Sequence, residues 1–155
     1  MGGYASPSDT RKAGRLRKQA GEKKGGMSGI TFDAGGLIAL DRPLDGNARR
    51  VIALLARATE LGLRVTIPAS ALAQAIRNPA RQALLSRPIR QSATDLVPLS
   101  GPDATAVGLL LAKTATADVV DAHVAICAQR AGQVAITSDP RDLGRIAPHL
   151  RLFVV

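Results

Sequence analysis

The chain is almost devoid of aromatic residues. Only 2% of its 155 residues are Phe, Trp or Tyr, and tryptophan is absent. Surfaces that stack bases on aromatic rings, as many single-strand-binding modules do, are therefore not expected. Any contact with nucleic acid would be mainly electrostatic.

Cysteine and long hydrophobic segments are also scarce. Cys127 is the single cysteine, so the chain cannot form an internal disulfide. No apolar run approaches the ~18 residues that a membrane-spanning helix needs, and the N-terminus lacks the apolar core of a signal peptide. We expect a cytoplasmic protein that does not associate with membranes.

The remaining composition favours one globular domain with a basic extension. Hydrophobic residues make up 46% of the chain, enough for a core, and the net charge is +9. Residues 1–26 hold seven basic and two acidic side chains, which favours a polyanionic partner such as nucleic acid but also fits a solvated leader. Regular periodicity begins only near Met27, which is an alternative start. We predict a basic, disordered tail over 1–28 and one domain over 29–155.

Short strand-like runs alternate with helical segments after the tail. This alternation predicts an α/β domain with a mostly parallel sheet. A strand is expected at about 29–33, followed by a short helix near 35–41 and a longer helix capped by Asn47. Ser70 is the expected cap of the next helix, and Pro79 fits the first turn of another. Four further stretches read as strands: "LRVTIP", "TDLVPL", "QVAITSD" and "RLFVV".

Acidic residues lie where two of the predicted strands end. Asp33 follows the first strand and Asp139 follows "QVAITS", while Asp118 and Asp121 are three residues apart near the start of a helix. Ligands of parallel sheets bind at the carboxyl ends of strands, so these four acids are expected to meet. Crowded carboxylates repel one another, and a hard divalent cation such as Mg²⁺ or Mn²⁺ would relieve that repulsion.

Each acid also has a simpler interpretation. Asp118 alone reads as a helix cap, Asp139 before Pro140 as a turn or cap residue, and Asp142 as a solvated acid in a first helical turn. Asp121 is harder to explain in this way because it interrupts the apolar stretch "VVDAHVAI". The joint placement of the acids therefore carries the argument.

Other kinds of site have less support. His123 and His149 are too far apart in sequence for a zinc pair, and Cys127 lies in an apolar helix that predicts a core role. The pair Gly35-Gly36 lacks the Lys and Ser/Thr of a phosphate-binding loop. A phosphatase with an acid after its first strand would need a second acid at position 35.

Three motifs resemble those of a known family. "ITFDAGGLIAL", "IPASALAQAIRN" and "DVVDAHVAICAQRAGQVAITSDPRDL" resemble successive motifs of PIN domain proteins, particularly the VapC-like toxins of toxin–antitoxin pairs. The resemblance covers about 29–155. It implies a three-layer α/β/α fold with sheet order 3-2-1-4-5 and a Mg²⁺- or Mn²⁺-dependent ribonuclease.

The resemblance also assigns residues. The family acids match Asp33, Asp118, Asp121 and Asp139, and the supporting hydroxyl matches Thr137. Many relatives carry Glu where this chain has Gln74, which offers an oxygen but no charge and should weaken metal affinity. Two arginines near the acids, Arg141 and Arg145, are candidate RNA contacts.

The leading hypothesis is therefore a metal-dependent endoribonuclease. Likeness to the toxins further implies a homodimer and a cognate antitoxin whose Arg would enter the acidic cleft. The alternative is a PIN-like protein that binds RNA or a protein partner without cutting, which the basic tail and Gln74 favour.

Overall fold

The computed structural model describes residues 27–42, 45–77 and 82–155. Most of the predicted tail, and Pro79 of a predicted helix start, lie outside these residues. Five strands are described: β1 Gly29–Phe32, β2 Arg64–Pro68, β3 Thr94–Val97, β4 Val134–Thr137 and β5 Leu152–Val154. Seven helices accompany them in the described ranges: α1 Ala34–Asp41, α2 Gly46–Glu60, α3 Ala69–Ala75, α4 Ala83–Ile89, α5 Gly101–Thr114, α6 Val119–Ala131 and α7 Pro140–Ile146.

All five strands form one parallel sheet in the order β3-β2-β1-β4-β5. The expected α/β class and strand order are confirmed. Strand β1 occupies the centre, with Thr31 opposite Thr66 on β2 and Phe32 opposite Ile136 on β4. Because both faces of a central parallel strand are covered, every residue of β1 is buried.

The core is built from aliphatic side chains and one aromatic ring. Ile30, Phe32, Ile67 and Ile136 from the three central strands are fully buried, together with Leu37 of α1. Strand β5 contacts α2, because the Arg50 guanidinium of α2 lies 5.2 Å from the centre of the Phe153 ring. No helix in the described ranges has the length and apolar character to span a bilayer.

Two expected helix starts differ from those observed. Asp45, and not Asn47, caps α2, because its carboxylate accepts the Ala48 N–H at 2.8 Å. Ser70 does not cap α3, which begins at Ala69 directly after Pro68. The Ser70 hydroxyl instead shares a hydrogen bond of 2.7 Å with Nδ1 of the fully buried His123.

Close backbone approach fixes the start of α1 against the end of β4. A Cβ atom on Gly36 would come within 2.7 Å of the Ile136 carbonyl oxygen, and one on Gly35 would collide with Ser138. Glycines at both positions let the β1–α1 turn approach the β4–α7 turn. The residues at these two turns are Asp33 and Asp139.

Candidate active site

Asp33 is a buried carboxylate held by hydrogen bonds from Thr137 and from the backbone of Gly35 and Gly36. It caps α1, with Oδ1 accepting the Gly36 N–H at 2.5 Å, and the residue is 5% exposed. Burial raises the pKa of Asp33 above its ordinary value, hydrogen bonds from Thr137 and the Gly36 N–H oppose that rise, and the charge of Asp139 adds to it. The carboxylate is thus fixed in place, but burial disfavours its charged form.

Thr137 links this acid to the next strand end. Its fully buried hydroxyl hydrogen-bonds the Asp33 carboxylate and accepts the Asp139 backbone N–H at 2.9 Å. The threonine therefore holds the ends of β1 and β4 together. Asp139 itself caps α7 through the N–H groups of Arg141 and Asp142.

The pKa of Asp121 is raised by burial and by all the other acids of the cluster. Burial, followed by the negative charges of neighbouring acids, raises the pKa of Asp121 from 3.8 to about 6. Those neighbours are, in decreasing effect, Asp118, Asp33, Asp142 and Asp139. The structure therefore brings together all four acids predicted from the sequence.

The simpler interpretations of two acids are also correct. Asp118 caps α6 by accepting the Asp121 N–H at 2.9 Å, and both Asp118 and Asp139 are exposed. Capping and membership of the cluster are compatible because a cap at the start of a helix lies at the carboxyl edge of the sheet. A single carboxylate can hold a backbone N–H and still repel its neighbours.

One acid of the site was missed by sequence reasoning. Asp142 is exposed in the first turn of α7, as expected, but it also contributes to the raised pKa of Asp121. Together with Asp118, Asp121 and Arg145 it lines a cleft of about 260 Å³. The available signal was its spacing of three residues from Asp139, which repeats the spacing of Asp118 and Asp121.

The two predicted arginines differ in position. Arg145 lines the acidic cleft, whereas Arg141 is exposed beside Asp139 and contributes its backbone N–H. Neither arginine forms an ion pair with a described residue. Arg145 is therefore placed to meet an anion that enters the cleft.

Gln74 is exposed on α3. In the described residues no hydrogen bond connects it to the acids, although α3 begins where β2 ends, at the same edge of the sheet. Cys127 and His123 are buried on α6, as the apolar surroundings of both residues indicate, and burial raises the pKa of the Cys127 thiol to about 11. Neither of these two residues joins the site.

The candidate ligand atoms at the site are chemically suited to a hard cation. All are carboxylate or hydroxyl oxygens, and the raised pKa of Asp121 reflects unrelieved negative charge. Within the described ranges, however, no three His, Cys, Asp or Glu side chains are arranged to hold a metal ion by themselves. Mg²⁺ sites in proteins commonly use one or two carboxylates and several waters.

Several solved structures share this architecture. FitAcB from Neisseria gonorrhoeae is 19% identical with a TM-score of 0.56, covering 80% of this chain and 96% of that one. VapC20 of Mycobacterium tuberculosis, a toxin that cleaves the sarcin–ricin loop, is 16% identical with a TM-score of 0.59, covering 72% and 91%. The chain has a PIN-like fold.

A third solved structure with this PIN-like fold is a complex. VapBC2 from Rickettsia felis, bound to a DNA fragment from its promoter, is 16% identical with a TM-score of 0.57, covering 81% of this chain and 98% of that one. At these identities the likeness shows the fold. No protein-family model and no curated protein matches the sequence.

Proposed function

We propose that this protein is a Mg²⁺- or Mn²⁺-dependent endoribonuclease and the toxin of a toxin–antitoxin pair. The observation that carries the proposal is the crowding of acids from β1, α6 and the β4–α7 turn around Asp121, whose pKa is about 6. Such a cluster is costly without a cation, and perturbed carboxylates in a cleft are typical of catalytic sites. We further propose that it acts in the cytoplasm, where its RNA substrate would be found.

Different side chains would bind the cation, orient the Asp33 carboxylate and contact the RNA. Thr137 and the Gly36 N–H fix the Asp33 carboxylate, so Asp33 and Asp121 can present oxygens to the cation in a defined geometry. A bound divalent cation would neutralise charge at the scissile phosphate and activate the attacking water. Arg145 would contact a phosphate of the strand in the cleft.

An apolar groove supports an antitoxin as protein partner. A groove of about 230 Å³ lies between α1, α2 and α4, and its lining includes Leu40, Ile52, Leu55, Leu84 and Arg87. Ile52 is 39% exposed and Leu84 is 36% exposed, so apolar surface is available to a partner. FitAcB and VapBC2, which share the fold, support such a pairing. We further propose that the toxin is a homodimer.

One observation favours a second candidate function. Gln74 carries no charge and is exposed, so the cation would be held by fewer carboxylates than in relatives with Glu at that position. The chain would then be a binder of RNA or of a protein partner that does not cut. Such a binder keeps its RNA affinity in EDTA and forms no product under any cation.

Replacing Asp33 by Asn tests the enzyme. Asp33→Asn keeps the shape of the side chain and an oxygen for capping but removes the charge, so cleavage of single-stranded RNA in Mn²⁺ should fall by orders of magnitude. Because burial already disfavours the charged form, the variant in EDTA should melt at the same temperature as the parent or higher.

Asp95→Asn is the matched control because Asp95 pairs with Arg64 and touches none of the acids in the cluster. It should cut RNA at the parental rate. A destabilised Asp33→Asn variant with undiminished cleavage would remove the case for a cation site at Asp33.

The partner is tested separately. Ile52→Glu should prevent the purified chain from forming a complex with the product of a small adjacent gene while leaving cleavage intact, because charge in an apolar interface is costly. Leu109→Glu, at a 69% exposed position on α5, is the control and should leave that complex intact. Equal binding by parent and Ile52→Glu would place the antitoxin elsewhere.

A further inference from the structure

One hydrogen bond joins helix α3 to helix α6. The Ser70 hydroxyl of α3 and Nδ1 of His123 on α6 are 2.7 Å apart. His123 is fully buried, and Ser70 is half-buried. The two residues are 53 positions apart in the chain, so the bond holds together helices that are distant in sequence.

The Ser70 hydroxyl is an important partner of the His123 ring. Burial lowers the pKa of His123, against the opposing effects of the Asp103 charge and the Pro98 carbonyl group, so the neutral ring is favoured. The second ring nitrogen, Nε2, is buried and forms no hydrogen bond of normal geometry with a described residue. Because a buried polar ring is costly without hydrogen bonds, the bond to Ser70 disfavours any displacement of α3 from α6.

Helix α3 packs against two helices of the candidate site. These are α1, which Asp33 caps, and α6, which carries Asp121 in its first turn. The buried side of α3 consists of Ala71 and Ala75, whose methyl groups allow close packing but make no hydrogen bond. Among the hydrogen bonds of the described residues, the one from Ser70 alone joins α3 to either neighbour. It therefore supplies the directional contact that orients this helix.

Gln74 lies one turn after Ser70 on α3. Residues four apart lie on the same side of a helix, so Gln74 is on the side of α3 from which Ser70 reaches α6. Asp121 lies two residues before His123, the residue that Ser70 contacts. The bond between α3 and α6 therefore governs how the side chain at position 74 is held relative to Asp121.

We propose that the Ser70–His123 hydrogen bond positions α3 so that the side chain at position 74 contributes to the cation site of Asp33 and Asp121. Ser70 and His123 are positioning residues that act through position 74. The hydrogen bond belongs to the fold, whereas its effect on cation binding rests on the proposed function. The proposal requires that substitutions at Ser70 and at position 74 are coupled in their effects on cation affinity.

Calorimetric titration of the full-length chain with Mn²⁺ tests this coupling. Gln74→Glu should bind Mn²⁺ more tightly than the parent. Adding Ser70→Ala to Gln74→Glu should lower that affinity by about 10-fold, the lower end of what loss of a supporting hydrogen bond costs at a metal site. Adding Ser70→Thr instead keeps the hydroxyl and should retain the gain.

Cys127→Ala is the matched control in the same Gln74→Glu chain. Cys127 is buried on α6 one turn after His123, so its truncation also removes core packing, but it breaks no hydrogen bond to α3. The control should lower the melting temperature in EDTA and leave the Mn²⁺ affinity unchanged. Equal losses of affinity from Ser70→Ala and Cys127→Ala would reduce the bond to a contribution to stability and overturn the positioning role.

Two other results would also overturn the positioning role: no gain of affinity from Gln74→Glu, or a gain that persists with Ser70→Ala. Cleavage of single-stranded RNA in Mn²⁺ separates these results from failure of the proposed function. Cleavage by the parent without coupling between Ser70 and position 74 would refute the positioning role and retain the nuclease. The expected coupling without cleavage by any of the chains would refute the nuclease and retain the positioning role.

Discussion

The Thr137 hydroxyl hydrogen-bonds the buried carboxylate of Asp33. The same hydroxyl accepts the Asp139 N–H at 2.9 Å, so one side chain joins the ends of two neighbouring parallel strands. It also counters part of the penalty that burial imposes on the Asp33 charge. A residue that carries no charge therefore supports two acids of the site.

Thr137→Val should destabilise the chain and impair the site. Valine preserves the buried volume but removes both hydrogen bonds, which should cost about 1–3 kcal/mol in the free energy of unfolding measured in urea. The pKa of Asp33 should rise further, moving the acidic limb of the activity profile to higher pH. Thr137→Ser keeps the hydroxyl and should retain the parental profile. A parental profile for Thr137→Val would contradict the role of the hydroxyl.

Asp121→Asn should stabilise the chain at neutral pH and not in acid. The folded pKa of Asp121 is raised from 3.8 to about 6, so the folded chain binds this proton more tightly than the unfolded chain does. The contribution to stability is complete below about pH 4 and is lost as the pH rises through about 6. Urea midpoints should therefore rise for the variant at about pH 7.5 and match the parent at about pH 4.

Asp95→Asn is the comparison for this experiment. It removes a carboxylate from an exposed ion pair with Arg64 and should lower the midpoint slightly or leave it unchanged at neutral pH. A lower midpoint for Asp121→Asn at neutral pH would mean that the Asp121 charge stabilises the fold, against the repulsion described above.

Gln74→Glu should tighten the binding of Mn²⁺ or Mg²⁺. The exchange adds a negative charge at the position where many PIN domain proteins carry Glu, and calorimetric titration would measure the gain. Ala73→Glu adds the same charge at the neighbouring exposed position of α3 and controls for a long-range effect. Equal gains from both variants, or none from Gln74→Glu, would place Gln74 outside the site.

Removal of residues 1–26 should leave the melting temperature nearly unchanged. Met27 packs against the core and Ser28 bonds to Ala131 and Gly132, and the shortened chain keeps both residues. Removal of 1–28 deletes these interactions and should lower the melting temperature. A large decrease from the shorter deletion would show that the tail contributes to folding and that the predicted domain boundary is wrong.

The sequence by itself determined the fold class and the positions of the four acids along it. Residues 30–32 are β-branched or aromatic, as suits a central parallel strand that is covered on both faces, and this pattern is readable without coordinates. Parallel strands deliver their carboxyl ends to one edge, so Asp33 and Asp139 were predicted to approach each other. The capping residue of α2 was less predictable, since Asp45 caps this helix where Asn47 was expected. Several nearby polar residues can cap the same helix.

Only the tertiary structure decided which further side chains meet. Asp142 approaches Asp121 because α7 packs against α6. Ser70 reaches His123 because α3 also packs against α6. These approaches depend on how helices distant in sequence lie against one another, which no local pattern encodes. The magnitude of the Asp121 shift likewise comes from burial and from four charges on three separate segments, and only the packed chain brings these together.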